Sequence, residues 1–466
     1  MSDARSAGSL SRRSALSVGG AALLTAASWR RVLGANDRIG VGLIGYGLIG
    51  KRHFEDFQAQ PDAQIVGVAE THRGRLDEAV AATGGSARGH GDFRKMLEDP
   101  RIDVVVVSTP DHWHALATLL ACAAGKDVYV EKPLSLFVSE GRWMIDVARR
   151  SGRIVQVGTQ QRSGPHYQRA RELIRGGALG KIHSVRMWAY RNIMPGYGRP
   201  PEGPPPADFD WQLWQGPAPE HAYNANRGIY HFRWFWDYSG GQMTNLGAHA
   251  LDIVDWFLEP GAATQVASCG GRFALEDNGE TPDTQDAMIE FPGLSAVWSH
   301  REAAGVAVRP TGHDFFGTQG SLSISRTGFT LTADRPLPPD WSVPQFGGAH
   351  PVGGPATTKR PTEEPIVLSR VVEEDKSGNA REQFRLHARN FLDCVRSRSE
   401  PLSSLESAHR VATAAHLANI SLRLGRSMRW DQGQEQIVGD AEANALLSRP
   451  YRSPWDRELA ALGVST

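Results

Sequence analysis

Lys132 stands between Glu131 and Pro133, directly after the apolar run Val128–Val130. A proline disfavours helical angles at the residue before it, so Lys132 is held extended at a strand end. A cis Lys132–Pro133 bond is a further way to fix the amine in a tight turn. Taken out of water, a lysine amine loses its proton more readily and becomes a usable acid or base. A second pair, Asn245 and His249, lies just before the apolar stretch Ala250–Leu258. Residues four apart on a helix share a face. An imidazole, titrating near about 6.5, moves protons at neutral pH. Asn245 can orient that ring but adds no charge, and Asp252, three residues beyond His249, is a nearby carboxylate that could supply some.

The elements that must position these groups begin with Ile39–Ile44, a short apolar run of the kind buried on both faces of a parallel sheet. It leads into Gly45-Tyr46-Gly47-Leu48-Ile49-Gly50 and then a helical stretch, Lys51–Gln60. In this strand–turn–helix setting a GxGxxG motif cradles a dinucleotide pyrophosphate at a helix N-terminus. The next apolar run, Ile65–Ala69, ends in Glu70, twenty residues after Gly50. An acid there accepts from both ribose hydroxyls and repels a 2′-phosphate, which favours NAD over NADP. Arg73 close by blurs that preference.

Further strands at Val104–Ser108, Val128–Val130 and Ile154–Val157 alternate with helical stretches near 74–82, 112–125 and 139–151. This alternation predicts a doubly wound parallel sheet with its ligand at the carboxyl ends of the strands. Three strand-end segments are thereby singled out: Thr109-Pro110-Asp111-His112-Trp113-His114, Glu131-Lys132-Pro133 and Gly158-Thr159-Gln160-Gln161-Arg162. Asp111 reads as a helix N-cap. His112 and His114 do not have the i, i+4 spacing of a zinc pair, and no metal is expected.

The ordered set resembles the Gfo/Idh/MocA family (glucose–fructose oxidoreductase, inositol dehydrogenase, rhizopine catabolism). It comprises the glycine turn with its acid, the strand-end Thr109-Pro110, Glu131-Lys132-Pro133, Asn245-Leu246-Gly247-Ala248-His249, Gly317-Thr318-Gln319-Gly320-Ser321 and Arg426-Ser427-Met428-Arg429-Trp430-Asp431. The resemblance spans roughly residues 37–431 and implies a Rossmann-type domain followed by an α/β domain with a large, mostly antiparallel open sheet. That sheet commonly forms an oligomer interface. The resemblance also implies that Lys132 polarises the substrate oxygen and that His249 removes or returns its proton. The family usually places Asp where this chain has Asn245, which shifts weight from His249 to Lys132. Gly45, Tyr46, Gly47, Leu48, Ile49, Gly50, Glu70, Thr109, Pro110, His114, Glu131, Lys132 and Gln160 are the expected cofactor contacts.

Thirteen aromatic residues fall between 188 and 238, about three times an even share. Flat apolar faces beside hydrogen-bond donors suit a sugar ring. Tyr190, Arg191, Arg233 and Trp234 are therefore candidate substrate contacts, together with Gln161, Arg162, Lys132, Asn245 and His249. Proline-rich stretches at 195–206 and 335–365 read as surface excursions. Ile182–Tyr190, Ala263–Gly271, Thr284–Phe291, Ser295–Ala303 and Ser321–Ser325 read as strands of the second sheet, and helices at 381–397 and 404–424 as packing back between domains.

The 466 residues carry 51 basic and 51 acidic side chains, a balance that argues against dedicated nucleic-acid binding. Three scattered cysteines make neither a disulfide framework nor a cysteine-based zinc site. Arg12-Arg13 before the weakly apolar run Ala15–Ala27 reads as a twin-arginine export signal, too short to span a bilayer as a helix. An uncleaved leader is the one route to a membrane. The expected organisation is a leader over 1–35, a dinucleotide domain over 36–160, a substrate and oligomerisation domain over 161–380, and C-terminal helices and tail over 381–466. The expected protein is a periplasmic or secreted homo-oligomer with tightly held NAD, exchanging hydride with a sugar, polyol or glycoside. A glycoside-cleaving enzyme working through a transient keto-sugar, and a non-catalytic sugar or dinucleotide sensor, are the alternatives.

Overall fold

A computed structural model describes residues 38–304, 310–334 and 369–464. The leader and the 335–365 proline-rich stretch lie outside the described residues. The first sheet contains β1 (Ile39–Ile44), β2 (Ala63–Ala69), β3 (Arg88–His90), β4 (Val104–Val107), β5 (Asp127–Val130) and β6 (Val155–Val157), in the order β3-β2-β1-β4-β5-β6. Every pairing is parallel. β1 and β4 are buried at every position because helices cover both faces. Those helices include α1 (Leu48–Gln58), α2 (Arg73–Ala82), α3 (Phe93–Leu97), α4 (His114–Ala123) and α5 (Val138–Ser151). Chain order reverses between β1 and β4, so the loops after them open a crevice where ligands bind.

After α6 (Pro165–Arg175) comes β7 (Ile182–Tyr190), then α7 (Trp211–Gln215) and α8 (Gly241–Leu258). The second sheet is completed by β8 (Gln265–Gly271), β9 (Thr284–Phe291), β10 (Leu294–Arg301), β11 (Thr311–Gly317), β12 (Gly320–Ser325), β13 (Gly328–Asp334), β14 (Ser369–Asp375), β15 (Met428–Asp431) and the two-residue β16 (Gln436–Ile437). It has ten strands in the order β14-β13-β12-β11-β7-β10-β9-β8-β15-β16, antiparallel except where β7 meets β10. β10 alternates buried and half-buried residues along its length, as a sheet with one covered face must. Val185, Met187, Ile289 and Ala296 point inward onto Leu251, Val254 and Phe257 of α8.

The C-terminal helices tie the halves together. α9 (Ala380–Ser397) sends Ala388, Phe391, Leu392 and Val395 into the Rossmann core beside Phe57 and Tyr129. From α10 (Leu405–Leu424), Leu405, Ala408 and Ala412 face α5, while Ala415 and Ala418 join the core of the second domain. The edge strand β3 and the strands β11, β13, β14, β15 and β16 lie beyond the sequence expectation, since each is short, polar or broken by glycine.

Candidate functional site

The glycine turn fits a dinucleotide. Gly45 has φ +90°, open only to glycine at low cost, and a side chain there would press on the Ser108 carbonyl. A Cβ on Gly50 would collide with the Gly45 carbonyl oxygen, so this glycine lets helix and turn close up. Gly47 differs: a Cβ there would meet only Arg75 Nη1, at 3.6 Å, because this glycine faces an open cavity. Leu48, Ile49, Glu70, Thr109 and Pro110 line the same cavity. The Glu70 carboxylate accepts from the Tyr46 amide (2.7 Å) and the His72 amide (3.0 Å), fixing it at the end of β2. The cradle, the acid and the free start of α1 are the parts a dinucleotide needs.

The Tyr46 side chain is core, packed edge-on against Phe54, and its amide is taken by Glu70. Arg73 pairs with Asp77 on the surface, and on the side of the glycine turn it is Arg75 that reaches the cavity. Asp111 opens a 3-10 turn as its first residue instead of capping it, and accepts from Ser239 Oγ at 2.5 Å.

The second domain reaches back over this cavity. Phe209, Leu213, Trp214, Ile229, Tyr230, Phe232 and Arg233 line it opposite the glycine turn. The strap is pinned by an antiparallel bridge between His72 and Phe209, by Arg73 N–H to Asp208 O (2.7 Å) and by Asp210 N–H to Thr71 O (3.0 Å). Most of the aromatic residues singled out by sequence pack on one another beneath it. Trp211 stacks on Trp214 at 4.8 Å, and Phe209, Phe232, Trp234, Phe235 and Tyr238 complete a small core. Trp234 is 2% exposed with Arg191 over its ring, so it is a packing residue and not a sugar platform.

Lys132 follows β5 at a cis Lys132–Pro133 bond. Its Nζ donates to Asn245 Oδ1 (2.8 Å) and to the Asn245 carbonyl (3.1 Å). Burial pushes the amine pKa down to about 8, with the Arg233 and Arg326 charges adding to it and the Glu131 charge opposing. Asn245 passes its own N–H to Gln242 Oε1 (3.1 Å), and Gln242 donates to Glu302 (2.5 Å), which also receives Arg191 Nε. Asn245 thus orients Lys132 and not, as its spacing suggested, the ring of His249. Arg191 is committed to Glu302 and Trp234.

Glu131 lies beneath the site and away from the cofactor cavity. Its Oε1 is 2.7 Å from His53 Nε2 on α1, and its Oε2 accepts the Lys132 amide at 3.0 Å. Burial works against its charge, yet the His53 contact and the nearby cations hold its pKa below the ordinary value. The His114 ring likewise spans Pro133 O (2.6 Å) and Thr109 O (3.0 Å), tying the two strand-end turns together and not contacting the cavity. His53 escaped the sequence reading because a helical histidine with no motif around it gives no signal.

His249 lines a second, smaller recess with Gln161, Tyr167, Trp188, Trp298, His313 and Arg326. Burial, then the charges of Lys132, Arg326 and His313, push its pKa well below the ordinary value, and its Nδ1 has no partner among the described residues. The ring is therefore a neutral acceptor. Gln161 donates to Tyr167 Oη at 2.6 Å on the recess wall. Arg162 is not at the site. It forms a buried fork with Asp252 (2.6 and 3.0 Å) and donates to Ser407 and the Leu402 carbonyl. That pairing also removes Asp252 as a charge source for His249. Gln160 is buried in the 3-10 turn after β6, and Tyr190 ends β7; neither lines a described cavity.

Dinucleotide cradle, strand-end lysine and helical histidine together define a hydride-transfer enzyme. Family models described as "Oxidoreductase family, NAD-binding Rossmann fold" and "Oxidoreductase family, C-terminal alpha/beta domain" match residues 39–159 and residues 177–267 with 376–457. The chain belongs to the Gfo/Idh/MocA oxidoreductase family. It is 29% identical over 291 residues to scyllo-inositol 2-dehydrogenase (NAD(+)) of Bacillus subtilis, covering 60% of this chain and 72% of that protein. With levoglucosan dehydrogenase of Pseudarthrobacter phenanthrenivorans it shares 33% identity over 155 residues, 32% of this chain and 40% of the relative. A structure of levoglucosan dehydrogenase with NADH and levoglucosan superposes with a TM-score of 0.63 at 20% identity, over 85% of this chain and all of that one. That likeness is one of fold.

Proposed function

We propose that the protein is an NAD-dependent dehydrogenase acting on a secondary alcohol of a sugar or polyol, or on the matching ketone. The observation that carries the reading is the Lys132 amine, half-buried and aimed by Asn245 at the junction of the two domains. When bound, the nicotinamide supplies the hydride acceptor or donor. Lys132 holds the reacting oxygen and takes its proton as the carbonyl forms, and neutral His249 offers a second acceptor on the recess side. Glu131, His53 and His114 keep the Lys132 turn in place. Glu70 favours NAD over NADP. The test is NADH formation by the purified protein with a panel of sugars and polyols, in parallel with NADP; no turnover by a protein that binds NAD would overturn it.

The strap over the cavity favours a cofactor that stays bound between turnovers. It equally serves a glycoside-cleaving cycle in which the hydride returns to the sugar, and glycoside cleavage without net NADH would mark that chemistry. We further propose export by the twin-arginine route on the strength of Arg12-Arg13, tested by replacing both with lysine in a periplasmic reporter fusion. Self-association through the outer face of the ten-stranded sheet is part of the same reading. There Met288, 52% exposed, pairs across the sheet with half-buried Val297, and light scattering on a Met288→Lys variant tests it.

A further inference from the structure

The recess beside His249 contains one charged group that the chemistry above does not use. Arg326 sits in the tight turn between β12 and β13, where Ser325 pairs with Gly328. The turn is held by Thr327 N–H to Ser325 Oγ (3.3 Å), by Gly378 N–H to Thr327 O (3.1 Å) and by His166 at the Ser325 carbonyl (3.1 Å). This frame presents the guanidinium to the recess that His249 and Gln161 also line.

Among the described residues the Arg326 guanidinium has neither a carboxylate partner nor a hydrogen-bond acceptor. The contrast within the chain is sharp, because buried Arg162 and half-buried Arg191 and Arg272 are each paired with an acid. No acidic side chain lines the recess; its other polar groups are Gln161, Tyr167, Thr311, Ser325, the two histidines and the indole N–H groups of Trp188 and Trp298. Burial works against the charge of Arg326, and that charge in turn lowers the pKa of both Lys132 and His249. Arg326 is half-buried, and a guanidinium set in a recess with no acid beside it is a ready seat for an anion that arrives from outside.

We propose that the substrate is an anionic sugar or polyol, whose oxyanion is seated on Arg326 while the reacting hydroxyl lies at Lys132 and His249. This rests on the dehydrogenase reading and adds its substrate class. A guanidinium matches a carboxylate or a phosphate ester in a two-pronged contact, so both sources fit and a neutral inositol or hexose leaves the cation unsatisfied. The same contact offsets the positive field on Lys132 when the substrate binds.

The test uses the full chain loaded with NAD and matched probes: glucose, glucuronate and glucose 6-phosphate, with galactose, galacturonate and galactose 6-phosphate. The expected result is a kcat/KM at least about 100-fold higher for an anionic member than for its neutral partner. The carboxylate and phosphate arms identify which oxyanion is read. In Arg326→Gln that ratio collapses towards one, and Arg326→Lys restores part of it. A readout independent of turnover is thermal melting. Arg326→Gln melts higher than the parent without ligand, and the anionic probe stabilises the parent but not the variant. Turnover of neutral sugars with no anionic preference, or an anionic preference unchanged in Arg326→Gln, overturns the proposal and leaves the dehydrogenase reading standing. NAD binding with no turnover of any probe, and no stabilisation by one, overturns both.

Discussion

Lys132 Nζ lies 2.8 Å from the side-chain oxygen of Asn245, a neutral acceptor where a carboxylate would have made an ion pair. An amide oxygen orients the amine without holding its proton, so burial wins and the pKa falls to about 8. Alcohol oxidation needs the neutral amine, and its kcat/KM rises as pH climbs through about 8 and then levels off. Ketone reduction needs the ammonium and falls over the same range. Asn245→Asp stabilises the ammonium and moves the inflection upward by roughly one to three pH units. Rate profiles in both directions check the sign.

Replacing Lys132 with Met separates chemistry from binding. The loss of a positioned acid–base group costs about 10²–10⁴ in kcat. NAD affinity, read by fluorescence quenching, stays close to the parent because Lys132 does not line the cofactor cavity.

The glycines of the turn respond differently to a single methyl group. Gly50→Ala forces a side chain into the Gly45 carbonyl and lowers the melting temperature. Gly47→Ala meets only open cavity and the tip of Arg75, so it melts like the parent while NAD binding weakens by about tenfold or more. Calorimetry and titration together distinguish the two.

Asp252→Ala removes the forked partner of a guanidinium that is 4% exposed and leaves it only Asp255, at 3.8 Å, as an acid. Urea unfolding shows a loss of about 2–3 kcal/mol, below the roughly 3–5 kcal/mol of a charge left with no acid at all. A catalytic role for Asp252 would instead appear as a lowered kcat at unchanged stability.

Leu213→Ala and Tyr230→Ala thin the strap over the cofactor cavity without entering the glycine turn. Dissociation of NADH, followed by stopped-flow dilution, speeds up by about tenfold per variant, in line with roughly 1–2 kcal/mol of lost apolar contact. Unchanged rates would show that the strap does not retain the cofactor.

The chain by itself determined the Rossmann half and the positions of Lys132, Asn245 and His249. Their signals are local: a glycine turn after an apolar strand, a proline after a lysine, two polar residues one helical turn apart. Which acceptor each side chain would find was decided only by the tertiary fold. Asn245 reaches across 113 positions to Lys132, Arg162 is drawn 90 positions away to Asp252, and the Arg326 guanidinium is left at the recess with no acid beside it among the described residues. Periodicity and turn chemistry act over a few residues, whereas a buried charge is settled by whichever groups close packing places beside it. The aromatic cluster followed the same rule. Its composition suited a sugar, but burying those rings against one another stabilised a strap over the cofactor cavity instead.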